Sequence, residues 1–309
     1  MSRRRDVTRD ISREVSEVCD PPDGELPAAL YVVSTPIGNM RDLSFRAVSV
    51  LNSVRLVLAE DTRHSRHLFE RYGVGTPTMA YHEHNEAKVT PALIARLCEG
   101  EPIALVSDAG TPLLSDPGSR LVTAAIHAGI AIVPIPGASA LLPALVASGL
   151  SADRFTFFGF LTRTGSERHA TLDEITTIRH TVVLYEAPNR VAATLGELEK
   201  RGNGDRPAAV AREMTKQFEE VKRGTVSELR AYYEEKPPRG EVVLVIGAAV
   251  EQVPDDQLVR ERVQALRRSG KSTRDAAALV AEELGVPKRL AYRFAQGIDD
   301  EADGEKSRE

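Results

Sequence analysis

An α/β protein with two sheet-and-helix domains and a small helical module behind them is what this sequence predicts. Three observations predict it. From Ala28 onward, short β-branched apolar runs alternate with helical patterns; that alternation restarts after Gly149; and beyond Val253-Pro254 only helical patterns remain. In the first series Leu30–Val33, Val54–Leu58, Ile103–Val106 and Ile130–Val133 read as buried strands. Helices are expected between them at 43–53, 62–72, 89–98 and 116–128, the last with Asp116 as N-cap and Pro117 at the first helical position. Strands buried on both faces and separated by helices imply a largely parallel sheet. The segment from Pro136 to Gly149 joins the two series, and the boundary is placed near 150. In the second series Phe155–Phe158, Thr181–Tyr185, Ala208–Ala211 and Val242–Ile246 read as strands, with helices at 189–200 and 225–235. Thr225-x-x-Glu228 has the form of a capping box. The expected domains are therefore 27–150 and 151–250. Residues 1–26 carry few apolar anchors and are expected to be disordered, as is the acidic tail 298–309.

The last segment, 255–297, reads as three short helices, 255–268, 273–284 and 287–297, broken at Gly270 and at Gly285-Val286-Pro287. It holds nine basic and four acidic side chains between Arg260 and Arg293, a net +5. The whole chain of 309 residues has a net charge of −5. A polyanionic partner must therefore be held by a local patch, because the global field is weakly repulsive. Two cysteines, Cys19 and Cys98, cannot build a disulfide framework or a four-cysteine zinc site. The amino terminus has no apolar stretch of the signal-peptide kind, and no apolar run approaches the roughly 20 residues of a membrane span. A cytoplasmic setting without membrane contact is the expectation.

In open α/β sheets, ligands sit beyond the carboxyl ends of strands. Four consecutive predicted strands end in small, turn-forming or charged residues: Ser34–Asp42, Ala59–Arg63, Ser107–Pro112 continuing to Gly118, and Pro134–Ala140. In the second domain Tyr185–Arg190 and Arg212–Lys216 hold the same topological place. G-x-G-x-x-G, G-x-x-x-x-G-K-[ST] and G-x-S-x-G are all absent, which argues against a Rossmann dinucleotide site, a P-loop and a hydrolase elbow. What remains is a ligand held by glycine-lined loops and carboxylates, without a phosphate cradle.

The strings STPIGNMRDLSFRA, AEDTRHSRHL, YHEHNE, SDAGTPLLSDPG, PIPGASA, LYEAPNRV, AREMTK and RGEVVLVIG, in this order, carry a resemblance. From about residue 29 to 248 the chain resembles the ribosomal small-subunit RNA 2′-O-methyltransferase branch of the tetrapyrrole methylase superfamily. The resemblance implies two α/β domains of the tetrapyrrole methylase type with S-adenosylmethionine folded into the cleft between them. It implies methylation of a cytidine ribose in the decoding region of 16S rRNA, a partnership with 16S rRNA or the small ribosomal subunit, and a homodimer. Corrin and porphyrin methylases of this fold carry G-x-G-x-G-D after the first strand. Here that turn reads STPIGNMRD, with Arg41 added, which points to the RNA branch. The competing readings are a methylase of a tetrapyrrole or other small molecule, and a non-catalytic ribosome-assembly protein.

Roles follow from the chemistry and the resemblance together. Asp108 can accept hydrogen bonds from a ribose hydroxyl or an ammonium group, while Ala109, Gly110 and Thr111 let backbone approach a ligand. Ser139 and Ala140 place small residues at a helix start. By resemblance, Pro36, Leu161, Tyr185, Ala211 and Val242 line the adenine and methionine. Methyl transfer to a hydroxyl also needs a proton acceptor. Glu60, Asp61, His84 and Glu213 are the candidates, with Arg63 beside Asp61 serving either a base or an RNA clamp. His82-Glu83-His84 could ligate a metal if it lay on a strand, but no third ligand accompanies it and no metal is expected. Arg41, Arg190 and Lys216 are expected at the cleft mouth for phosphate contacts, and Arg267, Arg268, Lys271 and Arg289 on the basic module. Tyr81 and Tyr185 are candidates for stacking a base, against the alternative of core packing.

Overall fold

The computed structural model describes residues 26–249 and 256–296. The expected disorder of 1–26 and 298–309 falls, Leu26 apart, outside them. The chain divides into two compact units, Met1–Ala249 and Val250–Glu309. The first unit holds two five-stranded sheets.

The first sheet is built from β1 (Leu30–Val33), β2 (Leu56–Ala59), β3 (Thr78–Ala80), β4 (Ile103–Val106) and β5 (Ile132–Ile135), in the order β3-β2-β4-β1-β5. Every pairing is parallel, as the doubly buried apolar runs require. Along β1 the side chains alternate between two cores. Tyr31 and Val33 pack with α1 (Phe45–Ser53) and α2 (Thr62–Tyr72), whereas Leu30 packs with α3 (Glu86–Cys98) and α4 (Ser119–His127). The short β3 has no counterpart among the expected strands; its three residues are too few for a period to register. Helix α3 starts at Glu86, three residues before the expected start.

One expectation is overturned. Asp116 does not cap α4. That helix begins at Ser119 with Gly118 as N-cap at φ 128°, and a Cβ at Gly118 would stand 2.7 Å from Leu105 Cδ2. Only glycine closes this turn against β4, and the turn carries Asp116 away from the helix end.

The second sheet contains β6 (Phe155–Phe160), β7 (Thr181–Glu186), β8 (Pro207–Arg212), β9 (Glu220–Thr225) and β10 (Val242–Ile246), in the order β6-β7-β10-β8-β9. Here β6–β7 is parallel, while β7–β10, β10–β8 and β8–β9 are antiparallel. Helices α6 (Ser166–Thr177), α7 (Val191–Leu198) and α8 (Val226–Glu235) supply one core with this sheet. Helix α5 (Leu141–Ser148) supplies the other: Leu141, Ala144 and Leu145 pack with Val183, Ala209, Ala211 and Val243, and Ile37 from the loop after β1 joins them. The loop after β1 thus reaches the core of the second sheet through Ile37. A backbone contact reinforces it, the Asn39 N–H donating to Thr215 Oγ1 at 3.2 Å.

The second unit contains α9 (Asp256–Arg268), α10 (Thr273–Leu284) and a third helix over 288–296. Val259, Val263, Val280, Ala281 and Ala291 are among the residues of its own small core. Ser272 caps α10, accepting from the Asp275 N–H at 3.1 Å. Among the described residues no helix is long and apolar enough to cross a membrane.

Candidate active site

Parallel strands bring their carboxyl ends to one edge of the first sheet, so the loops that follow them meet there. Thr35, after β1, and Gly110, after β4, exchange backbone hydrogen bonds of 2.8 and 3.0 Å. Ser34 Oγ lies 3.0 Å from Thr111 Oγ1, and Thr111 Oγ1 donates to the Ala138 carbonyl at 3.1 Å, which ties in the loop after β5. Asp108 Oδ1 accepts the Asp61 N–H at 3.0 Å and brings the loop after β2 alongside. Gly110 has φ +86°, and a Cβ there would stand 3.3 Å from Ile37 Cγ2. A side chain would strain this junction twice, through its backbone and through its packing.

These loops and the facing edge of the second sheet enclose a cavity of about 400 Å³. That lies within the roughly 300–1,000 Å³ usual for small-molecule sites. Nine of the expected site residues border it: Glu60, Asp108, Ala109, Gly110, Thr111, Ser139, Ala140, Tyr185 and Val242. Ile37, Leu114, Val242 and Val243 give it an apolar wall, and Glu241 adds a carboxylate. Tyr185 packs edge-on to Phe157 at 4.9 Å and against exposed Phe160 at 5.4 Å. A second recess of about 380 Å³ shares Glu60, Ser115 and Asp116 with the first, and adds Glu83, Glu86 and Arg120. Those three shared residues stand where the two spaces meet.

Burial raises the Asp116 carboxyl to about 6, reinforced by the nearby Glu60 and Asp108 charges and opposed by a hydrogen bond from the Ser107 hydroxyl. Burial and the Asp108 charge also push Glu60 upward. Asp116 borders both spaces, a position that the sequence reading, which made it a helix cap, missed. Its Asp-Pro context mimics a helix start, and only the positive φ of Ser115, 70°, with the glycine at 118 turns it inward.

The remaining candidates are held elsewhere. Pro36, Leu161 and Ala211 are buried and do not border the cavity: Ala211 packs behind Ile37, Val243 and Tyr185, and Leu161 belongs to the core under α6 and α7. Asp61 caps α2, accepting the Arg63 N–H at 2.8 Å, and also binds the Arg63 guanidinium through Oδ1 at 3.1 Å and Oδ2 at 2.8 Å. Those bonds pull its carboxyl down to about 2. Glu213 Oε1 accepts the Glu241 N–H and the Lys216 ammonium, each at 3.0 Å, which depresses its pKa, the backbone bond foremost. A carboxylate so engaged is a weak base. His84 is exposed in a turn with its ring 5.9 Å from that of His82; this segment is not a strand, so the His-x-His spacing does not align the two side chains. Tyr81 is fully buried with its hydroxyl 3.1 Å from Thr90 Oγ1, and belongs to the core.

Among the expected cationic contacts, Arg190 is bound within the fold, to Glu186 at 3.1 Å and to the Leu161 and Thr162 carbonyls at 2.9 and 3.1 Å. Lys216 bridges Glu213 and, at 3.2 Å, Glu241. Arg41 and Arg63 are exposed near the strand ends. In the second unit Arg268, Lys271 and Arg289 are exposed, while Arg267 is half-buried and donates to the Lys271 carbonyl at 2.9 Å.

The family model of the tetrapyrrole (corrin/porphyrin) methylases matches residues 29–230, and the chain belongs to that family. A Synechocystis sp. protein named ribosomal RNA small subunit methyltransferase I is 44% identical over 278 residues, 89% of this chain and 99% of that protein. A protein of the same name from Mesorhizobium japonicum is 43% identical over 287 residues, 92% of this chain and 97% of that one. The crystal structure of a uroporphyrin-III C-methyltransferase from Thermus thermophilus, complexed with S-adenosylhomocysteine, superposes with a TM-score of 0.51 at 17% identity. It covers 71% of this chain and 97% of that one, and shares its fold.

Proposed function

We propose that this protein transfers a methyl group from S-adenosylmethionine to the ribose 2′-oxygen of a cytidine in the decoding region of 16S rRNA. The observation that carries the reading is the cavity at the strand ends, where backbone, apolar wall and carboxylates converge in one space of about 400 Å³. The donor is a nucleoside with an amino acid and a sulfonium charge, and the residues present fit all three. Asp108 and Glu241 suit hydroxyl or ammonium groups, Ile37, Val242 and Val243 suit an adenine, and Ala109, Gly110, Ser139 and Ala140 admit close backbone contact. Glu60 suits the cation. Ala211 packs against Ile37 and Val243 and supports this wall from behind. When bound, S-adenosylmethionine supplies an electrophilic methyl group. The chain supplies alignment, which in favourable cases contributes about 7–11 kcal/mol.

The RNA assignment draws on relatives at 43 and 44% identity that carry a small-subunit rRNA methyltransferase name. It draws also on exposed Arg41, Arg63 and the basic module, whose Arg268, Lys271 and Arg289 suit phosphates. The reading carries with it a homodimer and a cytoplasmic setting. Mass spectrometry of 16S rRNA tests it. Deletion of the gene should abolish one ribose methylation at a decoding-region cytidine, and the purified protein with labelled donor should restore it. Unchanged methylation, together with transfer to a tetrapyrrole, would move the protein to the small-molecule branch. Absence of donor binding by calorimetry would leave only an assembly role.

A further inference from the structure

We infer that Asp116 is the catalytic residue that accepts the proton of the ribose 2′-hydroxyl, and that the recess beyond it receives the acceptor sugar. The inference deepens the methyl-transfer reading above and rests on it. Two spaces of about 400 and 380 Å³ meet at Glu60, Ser115 and Asp116. With the donor in the glycine-lined space, the recess that meets it at this junction offers the acceptor oxygen an approach from the far side, as a displacement at carbon requires the nucleophile opposite the departing sulfur. A carboxylate standing at the junction touches both sides.

The backbone is arranged to place this group. Leu113 and Ser115, neither of them glycine, have φ of 73° and 70°, and Gly118 has 128°. Left-handed non-glycine residues cost on the order of 1–3 kcal/mol each and persist only where surrounding structure enforces them. Here the strained turn converts an Asp-Pro that would ordinarily start a helix into one that faces a cavity. Glu60, the other acid at the junction, follows β2 without such a turn and has the His82 side chain nearby. The Ser107 hydroxyl lies close to Asp116 and also donates to the Gly110 carbonyl at 3.3 Å.

The surroundings tune it. Glu60 follows β2 and Asp108 follows β4, both as like charges. Glu83 and Glu86 enter from the start of α3; Arg120 of α4 is paired with Glu86 at 3.3 Å and does not neutralise Asp116. Tyr185 and Glu241 face the first space from the second sheet. Partly buried, and without a paired cation among the described residues, the carboxyl titrates at about 6, close to the pH at which it must act. In the step itself the 2′-oxygen forms its bond to the methyl carbon as the carbon–sulfur bond breaks, the electron pair goes to sulfur, and the hydroxyl proton passes to Asp116.

Kinetics and calorimetry on the full-length protein with its RNA substrate decide the matter. Asp116→Asn should lower kcat about 10²–10⁴-fold, the usual range for a general base. It should also abolish the acidic limb of the kcat–pH profile near pH 6, and shift the Kd for S-adenosylhomocysteine less than about threefold. Asp116→Glu should restore part of kcat and keep a limb. The inference is overturned if Asp116→Asn keeps kcat within threefold or retains the limb, or if Glu60→Gln removes it instead. It is equally overturned if the loss lies wholly in cofactor affinity. A wild-type protein that binds S-adenosylhomocysteine yet methylates no RNA would bring down the reading itself, and this inference with it.

Discussion

At the scale of single residues, Asp116 carries a penalty that stability measurements can read. Its carboxyl titrates at 3.8 in a free chain and at about 6 in the fold. A raised carboxyl pKa means that the folded state holds its proton more tightly than the unfolded state. Stability therefore falls as pH rises from about 4 to 6, and the loss is complete above 6. The gap between the two values corresponds to about 3 kcal/mol, which partial solvent contact reduces to about 1–2 kcal/mol. Asp116→Asn should accordingly be more stable than the parent by that amount at pH 8 and equal to it near pH 4, measured by urea unfolding at both pH values. Asp108 makes the opposite prediction. Its Oδ1 holds the Asp61 N–H at 3.0 Å, and the residue borders the cavity. Asp108→Asn keeps the first bond and loses the charge, so its calorimetric Kd for S-adenosylmethionine should rise about 10-fold; Asp108→Ala loses both and should reach about 100-fold. Asp108 was legible in the sequence because a small-residue turn after a buried strand has few other uses. Asp116 was not, because Asp-Pro is a local signal for a helix start. What overrides it is the contact between Gly118 and Leu105, which no local pattern encodes.

Among elements, legibility followed the strength of the local signal. The four longer strands of the first sheet were readable from their apolar runs: β1 and β4 fall where expected, while β2 begins two residues late and β5 is displaced by two residues, to Ile132–Ile135. β9 was not readable: Glu220–Thr225 reads Glu-Val-Lys-Arg-Gly-Thr, and it sits at the edge of the second sheet, where its charged side chains are engaged by Arg212, the Tyr232 ring and the Ala147 carbonyl. Its strand character comes from register against β8, from Pro207↔Thr225 to Arg212↔Glu220, a long-range relation. The helix that follows was readable from four residues. Thr225 Oγ1 accepts the Glu228 N–H at 3.2 Å, and Glu228 Oε2 accepts the Thr225 N–H at 2.8 Å, the reciprocal bonds of a capping box. Thr225→Ala removes one of them, costing about 1 kcal/mol, and should lower the melting temperature by about 2–4 °C in a unit of this size. Cofactor affinity should not change, since α8 packs under the second sheet away from the cavity. A larger drop, or a loss of binding, would mean that β9 and α8 fold as one cooperative piece with the site.

The whole molecule separates two tasks that its net charge conceals. The junction around Asp116 is acidic, with Glu60, Asp108, Glu83 and Glu86 nearby. Such a field favours a cationic donor and repels phosphates, so a polyanionic substrate must be gripped elsewhere while only a sugar reaches the carboxylates. The basic unit, +5 between Arg260 and Arg293, supplies that grip in the proposed function. Arg267 is a poor place to test it, because its guanidinium also holds the Lys271 carbonyl, and removing it would perturb the turn between α9 and α10. Arg268, Lys271 and Arg289 are exposed and lie outside the small apolar core of the unit. Their joint replacement by glutamine should leave the calorimetric Kd for S-adenosylhomocysteine unchanged and weaken RNA binding. If all three contact phosphates, the slope of log K against log salt should become shallower by about 2 to 3, since each lost contact removes roughly 0.7–0.9. A weakened affinity with an unaltered slope would mean that these side chains act through structure. An unaltered affinity would assign the grip to the arginines beside the strand ends, Arg41 and Arg63, and leave the basic unit without an RNA role.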